Sequence, residues 1–292
     1  MTEILLGIGF ISLLLVALAA VVHKVREYLL PSRPVAVTVN GGREIGALAN
    51  FKLLDILNSN GIAVPSGCAG AGTCGLCRVS GVTGTGEPLP TERARLSPAD
   101  VRAGMRLACQ IVVRNDLAVT VPDEVLGITT MNCRVASSRS VTPLIKEIVL
   151  ALPEGAEFDF RAGNFVQVTA PAYRLDFSGI ALEPQHAAEW KKLGIDKLSS
   201  QSPQPVSRAY SVASRPKDVG MIVLNIRLAT PPPAKPHAPP GIVSSWLFGL
   251  REGDPIEVAG PYGHFGAQDT GREMVFIGGG VGMAPLRAII TD

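Results

Sequence analysis

Four cysteines in the first half of the chain have the residue type and spacing of an iron–sulfur ligand set. Cys68, Cys74 and Cys77 form a C-x5-C-x2-C pattern inside a glycine-rich stretch, and Cys109 follows later in LACQIVV. Thiolates hold [2Fe–2S] clusters, and the plant-type spacing C-x4-C-x2-C…C differs only by one residue in the first gap. We therefore predict a [2Fe–2S] cluster with three ligands on a loop and the fourth, Cys109, on a strand.

Two other uses of these cysteines remain open at this stage. Structural zinc sites usually combine two C-x-x-C-like pairs, whereas this stretch contains one, and disulfides are uncommon in cytoplasmic domains. The fifth cysteine, Cys133, lies outside the pattern. It is predicted to be a buried apolar side chain.

A second set of chemically suited residues lies in Arg208-Ala209-Tyr210-Ser211. Alternation along a strand puts Arg208 and Tyr210 on one face, which offers a cation to a pyrophosphate and a ring to a flavin. Ser211 adds a hydroxyl near the same ring. The motif by itself is weak, because an arginine and a tyrosine two residues apart on a strand are usually only part of a solvated face.

Its predicted partner is a phosphate-binding helix start. Gly241 begins the stretch GIVSS, with Ser244 inside it, and a helix is predicted through SWLFGL. The amides and hydroxyls at such an N-terminus suit an anion. Gly260-Pro261-Tyr262-Gly263 is predicted to be the turn that closes this part of the chain.

A third set is the glycine-rich run GGGVGMAP, which directly follows the apolar segment Met274 to Ile277. A strand, a glycine turn and a helix allow a dinucleotide to approach the backbone, although a bare glycine run can be only a tight turn. The predicted nucleotide-binding residues are Gly279, Gly280, Gly282 and Pro285.

The surrounding elements divide the chain into four predicted parts. Residues 1–30 form a membrane anchor and residues 33–125 an α+β cluster domain. Residues 129–268, with several apolar alternations between Gly/Pro turns, form an antiparallel β-barrel. Residues 272–292 are the first βα unit of an α/β nucleotide domain. A helix-containing stretch between Pro171 and Pro205 and a proline-rich loop from Ala229 to Gly241 interrupt the barrel.

The anchor is predicted from the 19 uncharged residues between Ile4 and Val22. That length in a helix approaches the roughly 30 Å of a bilayer core. Glu3 precedes the segment, whereas Lys24 and Arg26 follow it, so the positive-inside rule places the N-terminus outside. A cleaved signal peptide is the alternative, but the positively charged start typical of one is missing before Ile4.

Composition excludes one class of partner and suits the anchor. Lys and Arg number 27 and Asp and Glu 25, so the net charge is only +2. An electrostatic nucleic-acid binder would need dominant, clustered basic residues, and we expect no nucleic-acid partner. Charged residues make up 18% of the chain, below the roughly 25% of an average soluble domain, because the N-terminal segment is so apolar.

The cysteine pattern followed by RAYS, GIVSS, GPYG and GGGVGMAP resembles the ferredoxin:NADP reductase-like family of flavoprotein electron transferases. With the anchor and both insertions, the chain resembles the NADH-oxidising subunits of sodium-translocating quinone reductases within that family. The resemblance covers essentially the whole chain. It implies that the four cysteines ligate [2Fe–2S], that FAD is held by Arg208, Tyr210, Ser211, Gly241 and Ser244, and that NADH binds from Gly279 onward, with Tyr210 and Ser211 at the reacting flavin.

The same resemblance implies the electron path NADH to FAD to [2Fe–2S], then to partner subunits in the bacterial inner membrane and to quinone. The redox domains would be cytoplasmic. Family members continue for about a hundred residues beyond this point, so the nucleotide domain is expected to be cut short at Asp292. Two alternatives stay open: the reductase component of an oxygenase, and an electron-transfer module without NADH activity.

Overall fold

The computed structural model describes residues 2–29, 33–68 and 70–292, with side chains described except for residues 2–6 and 26–29. Contacts divide the chain into two compact units. The first contains Met1–Ile62 and Cys77–Val121, and the second contains Ala63–Leu76 and Pro122–Asp292. One border, Val121/Pro122, falls near the predicted domain boundary. By its contacts, the loop 63–76 belongs to the second unit.

The first unit begins with helix α1 (Thr2–Leu29), and residues 1 and 30 of the predicted anchor lie outside the described residues. Its segment Gly7–Val25 is long and apolar enough to cross a membrane, and none of it is buried against protein. A signal sequence would pass the same test of length and composition. The structure therefore confirms a single apolar helix here and leaves its insertion and orientation as predictions.

A small sheet and one packed helix form the rest of this unit. Strands β1 (Pro34–Val39) and β2 (Arg43–Leu48) form an antiparallel hairpin. Its turn uses left-handed Asn40 (φ 50°) and Gly41 (φ 69°), as the Asn-Gly signal predicts. Helix α2 (Leu53–Ser59) buries four apolar side chains. The remaining elements are β3 (Arg78–Val79), α3 (Pro90–Arg93), α4 (Pro98–Arg102), β4 (Arg106–Leu107) and β5 (Leu117–Val119).

The sheet order is β2-β1-β5, with β5 parallel to β1, and β3 pairs separately with β4. One prediction is wrong in this unit. Cys109 lies on a 3₁₀ turn, Ala108–Gln110, rather than on a strand. The ladder with β3 ends at Leu107, and the Ala108 amide instead bonds the Cys77 carbonyl at 2.8 Å. The sequence LACQIVV is rich in residues that favour strands, but it has no strand partner at Cys109.

The second unit is built on six antiparallel strands, as predicted for the barrel. After α5 (Asp123–Leu126), the strands run in the order β11-β8-β13-β6-β7-β12. A further bridge between Val212 and Leu224 joins the two outer strands and closes the barrel. The strand bounds are β6 (Thr129–Thr142), β7 (Ile145–Ala151), β8 (Phe165–Ala170), β9 (Tyr173–Asp176), β10 (Ser199–Ser202), β11 (Val206–Ser211), β12 (Met221–Arg227) and β13 (Pro255–Tyr262).

The predicted insertion is a structured cap on this barrel. Strands β9 and β10 pair with each other, and α6 (Pro184–Leu193) ends at left-handed Gly194. Its Trp190 is buried and stacks at 6.3 Å on Phe248 of α7 (Ile242–Gly249). The proline-rich loop after Ala229 is non-helical, as its prolines require.

Two predictions at the end of the chain are corrected. Gly260, Pro261 and Tyr262 continue strand β13 rather than forming a turn. The segment Met274–Ile277 has no strand partner in the described chain, and Val275 and Ile277 are 79% and 92% exposed. A strand of a parallel sheet forms only beside neighbours, so apolar composition alone does not make one. Helix α8 (Met283–Thr291) does form as predicted.

Candidate functional site

The loop of residues 63–76 carries two of the predicted cluster ligands and owes its shape to glycine. Gly70, Gly72 and Gly75 have φ angles of 79°, 77° and 70°, where side chains other than glycine are disfavoured. A methyl group added at Gly67 would lie 3.2 Å from Leu76. The Ser66 hydroxyl accepts the Gly70 amide at 3.1 Å, which fixes the turn that presents Cys68.

Cys68 and Cys74 are brought together within this loop. Burial raises the pKa of the Cys68 thiol, but hydrogen bonds from the backbone and side chains of Cys74 and Thr73 outweigh it and lower the pKa to about 6. Donors that favour a thiolate favour a metal ligand as well, because the thiolate is the form that binds iron. The donor set of this loop therefore fits an iron–sulfur cluster.

Cys77 and Cys109 form the second pair, in the first unit. Both are 1% exposed, and the Ala108–Cys77 hydrogen bond holds their backbones together. The Gln110 side chain donates to the Cys109 sulfur at 3.5 Å, a contact of the kind that tunes cluster potential. Gln110 escaped the sequence analysis, although its position directly after a predicted ligand is a usable signal.

The four cysteines are thus placed as two local pairs. Among the residues that the structure describes, no three His, Cys, Asp or Glu side chains lie close enough to hold a metal ion. The joint ligand set of Cys68, Cys74, Cys77 and Cys109 stays a prediction. Cys133 is 1% exposed on β6, and burial raises its pKa to about 11, which agrees with a neutral apolar role.

Strand β11 carries the predicted flavin residues in the predicted arrangement. It pairs with β8 so that Arg208 stands opposite Val168 and Tyr210 opposite Val166. Side chains at directly paired positions share a face, so Arg208 and Tyr210 are neighbours on one face and Ser211 points to the other. Burial raises the pKa of Tyr210, which keeps its phenol neutral. The Arg208 guanidinium donates a hydrogen bond to the carbonyl of the preceding residue, Ser207, at 2.9 Å.

The start of α7 fits a phosphate through its backbone. Gly241 is the N-cap, and no side chain in the described part of the chain caps the first turn. A methyl at Gly241 would approach Ala229 Cβ to 2.7 Å, so only glycine fits there. The Ser244 and Ser245 hydroxyls both donate to the Gly241 carbonyl, at 3.1 and 2.7 Å. They shape this turn, and the first-turn amides are the groups suited to an anion.

Tyr173 of the insertion also shapes this turn and was missed by the sequence analysis. Its hydroxyl donates to the Ile242 carbonyl at 2.6 Å and accepts from Ser200 at 2.6 Å. The insertion between Pro171 and Pro205 therefore stabilises the first residue of α7, Ile242. Nothing in the local sequence of Tyr173 signals this, because the contact spans 69 residues.

The glycine run forms a turn and a helix start without the predicted strand. Gly280 is left-handed with φ 56°, and Gly280–Gly282 form a 3₁₀ turn before α8. An added methyl at Gly279 or Gly282 would meet nothing within 4 Å, whereas at Gly278 it would meet Leu286 at 2.7 Å. Gly279, Gly280 and Gly282 thus line an open turn, and Pro285 follows in the first turn of α8. Their role in NADH binding stays a prediction.

A cavity of about 530 Å³ also opens beside the barrel. Its lining includes Arg161, Asn164 and His264, and none of the predicted cofactor residues belongs to it. The predicted FAD residues therefore do not coincide with this cavity.

Comparison with known proteins shows the general class of protein to which the chain belongs. Residues 37–114 match the 2Fe-2S iron-sulfur cluster binding domain, and residues 197–266 match the oxidoreductase FAD-binding domain. A crystal structure of the Amycolatopsis cytochrome P450 reductase GcoB is similar at 25% identity with a TM-score of 0.50, covering 88% of this chain and 67% of that one. The fold and both domains are those of an iron–sulfur flavoprotein oxidoreductase, which confirms the predicted [2Fe–2S] and FAD cofactors.

Relatives with higher sequence identity show which family within this class the chain belongs to. The chain is 42% identical over 290 residues to the F subunit of the Na(+)-translocating NADH-quinone reductase of Neisseria gonorrhoeae, and 43% identical over 293 residues to that of Methylococcus capsulatus. These alignments cover 99% and 100% of this chain and 72% of each relative. The chain belongs to the family formed by the F subunits of the Na(+)-translocating NADH-quinone reductases.

Proposed function

We propose that this chain is the NADH-oxidising input subunit of a sodium-translocating NADH:quinone oxidoreductase. Electrons pass from NADH through FAD to the [2Fe–2S] cluster, and on to membrane partner subunits and quinone. The observation that carries the proposal is the 42% identity to the Neisseria gonorrhoeae reductase subunit across 99% of the chain, which includes the apolar helix, both domains and the glycine turn.

Each predicted site residue has a role that follows from the chemistry of its side chain. Bound FAD would supply the change from two-electron to one-electron chemistry: it would take the hydride of NADH and give up its two electrons one at a time, with release of one proton, because a [2Fe–2S] cluster accepts a single electron and must pass it on before it takes the next. Arg208 and the first-turn amides of α7 hold the negatively charged pyrophosphate. Tyr210 supports the flavin ring with a neutral aromatic face. Cys68, Cys74, Cys77 and Cys109 hold the iron.

Helix α1 keeps these domains at the membrane. The basic residues after the span, Lys24 and Arg26, support a cytoplasmic location for everything that follows and an external N-terminus in a bacterial inner membrane. Anchoring raises the local concentration of the cluster near acceptors in partner subunits. The span contains no ionisable side chain between Ile4 and Val22, so ion movement belongs to those partners.

A second candidate is the reductase component of an oxygenase. It is favoured by the fold similarity to a cytochrome P450 reductase over 88% of the chain. The apolar helix α1 and the higher identity to the quinone-reductase relatives favour the membrane complex instead. Copurification with membrane subunits supports the first function, and copurification with an oxygenase supports the second.

The direct test is NADH-dependent reduction of the purified full chain. The proposed function predicts bleaching of the flavin absorption on addition of NADH, followed by the EPR signal of a reduced [2Fe–2S] cluster. If NADH leaves the flavin oxidised while dithionite reduces both cofactors, the chain is an electron-transfer module without NADH activity.

A further inference from the structure

The loop that carries Cys68 and Cys74 is held against the barrel by two tethers, which are hydrogen bonds, one buried and one partly buried. The Ser66 amide donates to Gln167 Oε1 on β8 at 2.8 Å, and the Tyr262 hydroxyl of β13 donates to the Ala63 carbonyl at 2.8 Å. Ser66, Gln167 and Tyr262 are only 4%, 6% and 5% exposed. The Ser66–Gln167 bond joins groups that are shielded from water, so it is costly to break because the freed partners stay unsatisfied.

These tethers lie on a particular face of the sheet. Gln167 pairs directly with Ala209 on β11 and with Ala259 on β13, so the three side chains form one row. Ala209 lies between Arg208 and Tyr210, and alternation turns those two to the opposite face. A methyl added at Gly67 would lie 3.8 Å from Ala209 Cβ. The cysteine loop therefore contacts the reverse side of the strand that carries the flavin motif.

The tyrosine tether is equally well defined. Tyr262 stacks on Phe165 with ring centroids 5.4 Å apart, which fixes the ring and aims its hydroxyl. Burial raises the pKa of this phenol, so it stays protonated and remains a donor. The loop is thus held at its start by Tyr262 and beside its first cysteine by Gln167.

We propose that Gln167 and Tyr262 are positioning residues that hold the Cys68–Cys74 loop against the back of strand β11 and thereby set the rate of electron transfer from flavin to cluster. The inference rests on the proposed function, since it concerns a step that function requires. Its physical reason is that electron transfer slows exponentially with distance, so a loop held within a fraction of an ångström gives one defined rate.

The substitutions follow from the geometry. Gln167→Met keeps the volume and removes the acceptor of the Ser66 amide. Tyr262→Phe removes only the hydroxyl. Thr169→Val is the matched control, because Thr169 lies on the same strand and bonds Ser207 across the sheet at 2.8 Å.

The first measurement is hydrogen–deuterium exchange of the loop, which does not depend on activity. Loss of one tether predicts roughly tenfold faster exchange of residues 63–76 in Gln167→Met and Tyr262→Phe. Thr169→Val should stay within about twofold of the unmodified chain. Unchanged protection in both tether variants, or an equal increase in Thr169→Val, overturns the inference.

The second measurement separates positioning from general stability. In stopped-flow reduction by NADH, the tether variants should bleach the flavin at the normal rate and reduce the cluster several-fold more slowly, whereas Thr169→Val should reduce both at the normal rate. An unchanged cluster rate despite a loosened loop overturns the inference. If the unmodified chain shows no NADH-dependent bleaching, the proposed function fails, while the exchange experiment still decides whether the tethers exist.

Discussion

Glu92 and Arg106 form a two-pronged buried ion pair, with Arg106 Nε 2.9 Å from Glu92 Oε1 and Arg106 Nη2 3.0 Å from Oε2. Glu92 is fully buried and also accepts the amides of Leu89 and Leu107, at 2.8 and 2.9 Å. Arg106 donates further to Thr85 and Gly86. This pair therefore fixes β4, the strand that leads directly to Cys109.

Glu92→Gln should destabilise the first unit substantially. Removing one partner of a buried ion pair leaves the other charge uncompensated, which typically costs about 3–5 kcal/mol. Hydrogen exchange of the Leu107 amide in increasing urea measures the loss. The control is Glu87→Gln, because the Glu87–Arg93 pair is 3.5 Å long and exposed. Equal stability of the two variants would contradict the assigned role.

The same carboxylate should make the first unit acid-sensitive. Burial raises the pKa of Glu92, but its hydrogen bonds from Arg106, Leu107 and Leu89 outweigh this and lower it. A lowered pKa in the folded state means that the unfolded chain binds the proton first. Stability is therefore fully present above the ordinary Glu pKa of about 4.3 and is lost as pH falls through the folded-state value.

The measurement is the unfolding free energy of the first unit between neutral pH and pH 3, with and without Glu92→Gln. The difference between the two chains should be largest at neutral pH and shrink toward acid. A difference that stays constant over this range would show that Glu92 does not titrate with folding.

Cys74→Ala should abolish the [2Fe–2S] cluster. Cys74 is a predicted ligand and also donates hydrogen bonds that favour the Cys68 thiolate. The reduced protein should lose its EPR signal and its visible iron–sulfur absorption. Cys133→Ala is the matched control and should keep both, because that thiol is buried on β6. A zinc-loaded, EPR-silent unmodified protein would refute the cluster assignment.

Gly241→Ala should weaken FAD binding by about tenfold or more, a change of at least 1.4 kcal/mol. The added methyl would approach Ala229 Cβ to 2.7 Å and Ser244 Oγ to 2.8 Å, so the start of α7 must shift. Flavin content after dialysis and FAD titration of the apoprotein report the effect. Gly179→Ala, where a methyl meets nothing within 4 Å, should bind FAD normally.

Leu14→Arg should impair membrane retention. Leu14 lies in the middle of Gly7–Val25, where an arginine costs about 2.5–3.5 kcal/mol on insertion scales. Alkaline extraction should move the variant from the membrane to the soluble fraction. Val25→Arg, at the end of the span, should remain in the membrane because its side chain reaches the interface. Extraction of the unmodified chain would exclude a stable anchor.

The local signals in the sequence predicted most elements correctly. The Asn40-Gly41 turn, the α2 and α6 helices and the alternating strands of the barrel all depend on short-range backbone and patterning preferences. The type and spacing of the cysteines indicated the cluster, because ligand chemistry depends on residue identity. The RAYS strand and the glycine-capped start of α7 were likewise visible as motifs.

Long-range contacts were decided by the tertiary structure alone. Cys109 does not lie on a strand, because the β3–β4 ladder ends before it. Met274–Ile277 forms no strand, because no neighbouring strand in the described chain lies beside it. The contacts of Gln167 with Ser66 and of Tyr262 with Ala63 join residues 101 and 199 positions apart. Such contacts depend on how strands register in space, which no local preference encodes. Residue types thus determined the chemistry of the site, whereas packing determined how the loop of residues 63–76 is held against the β-barrel.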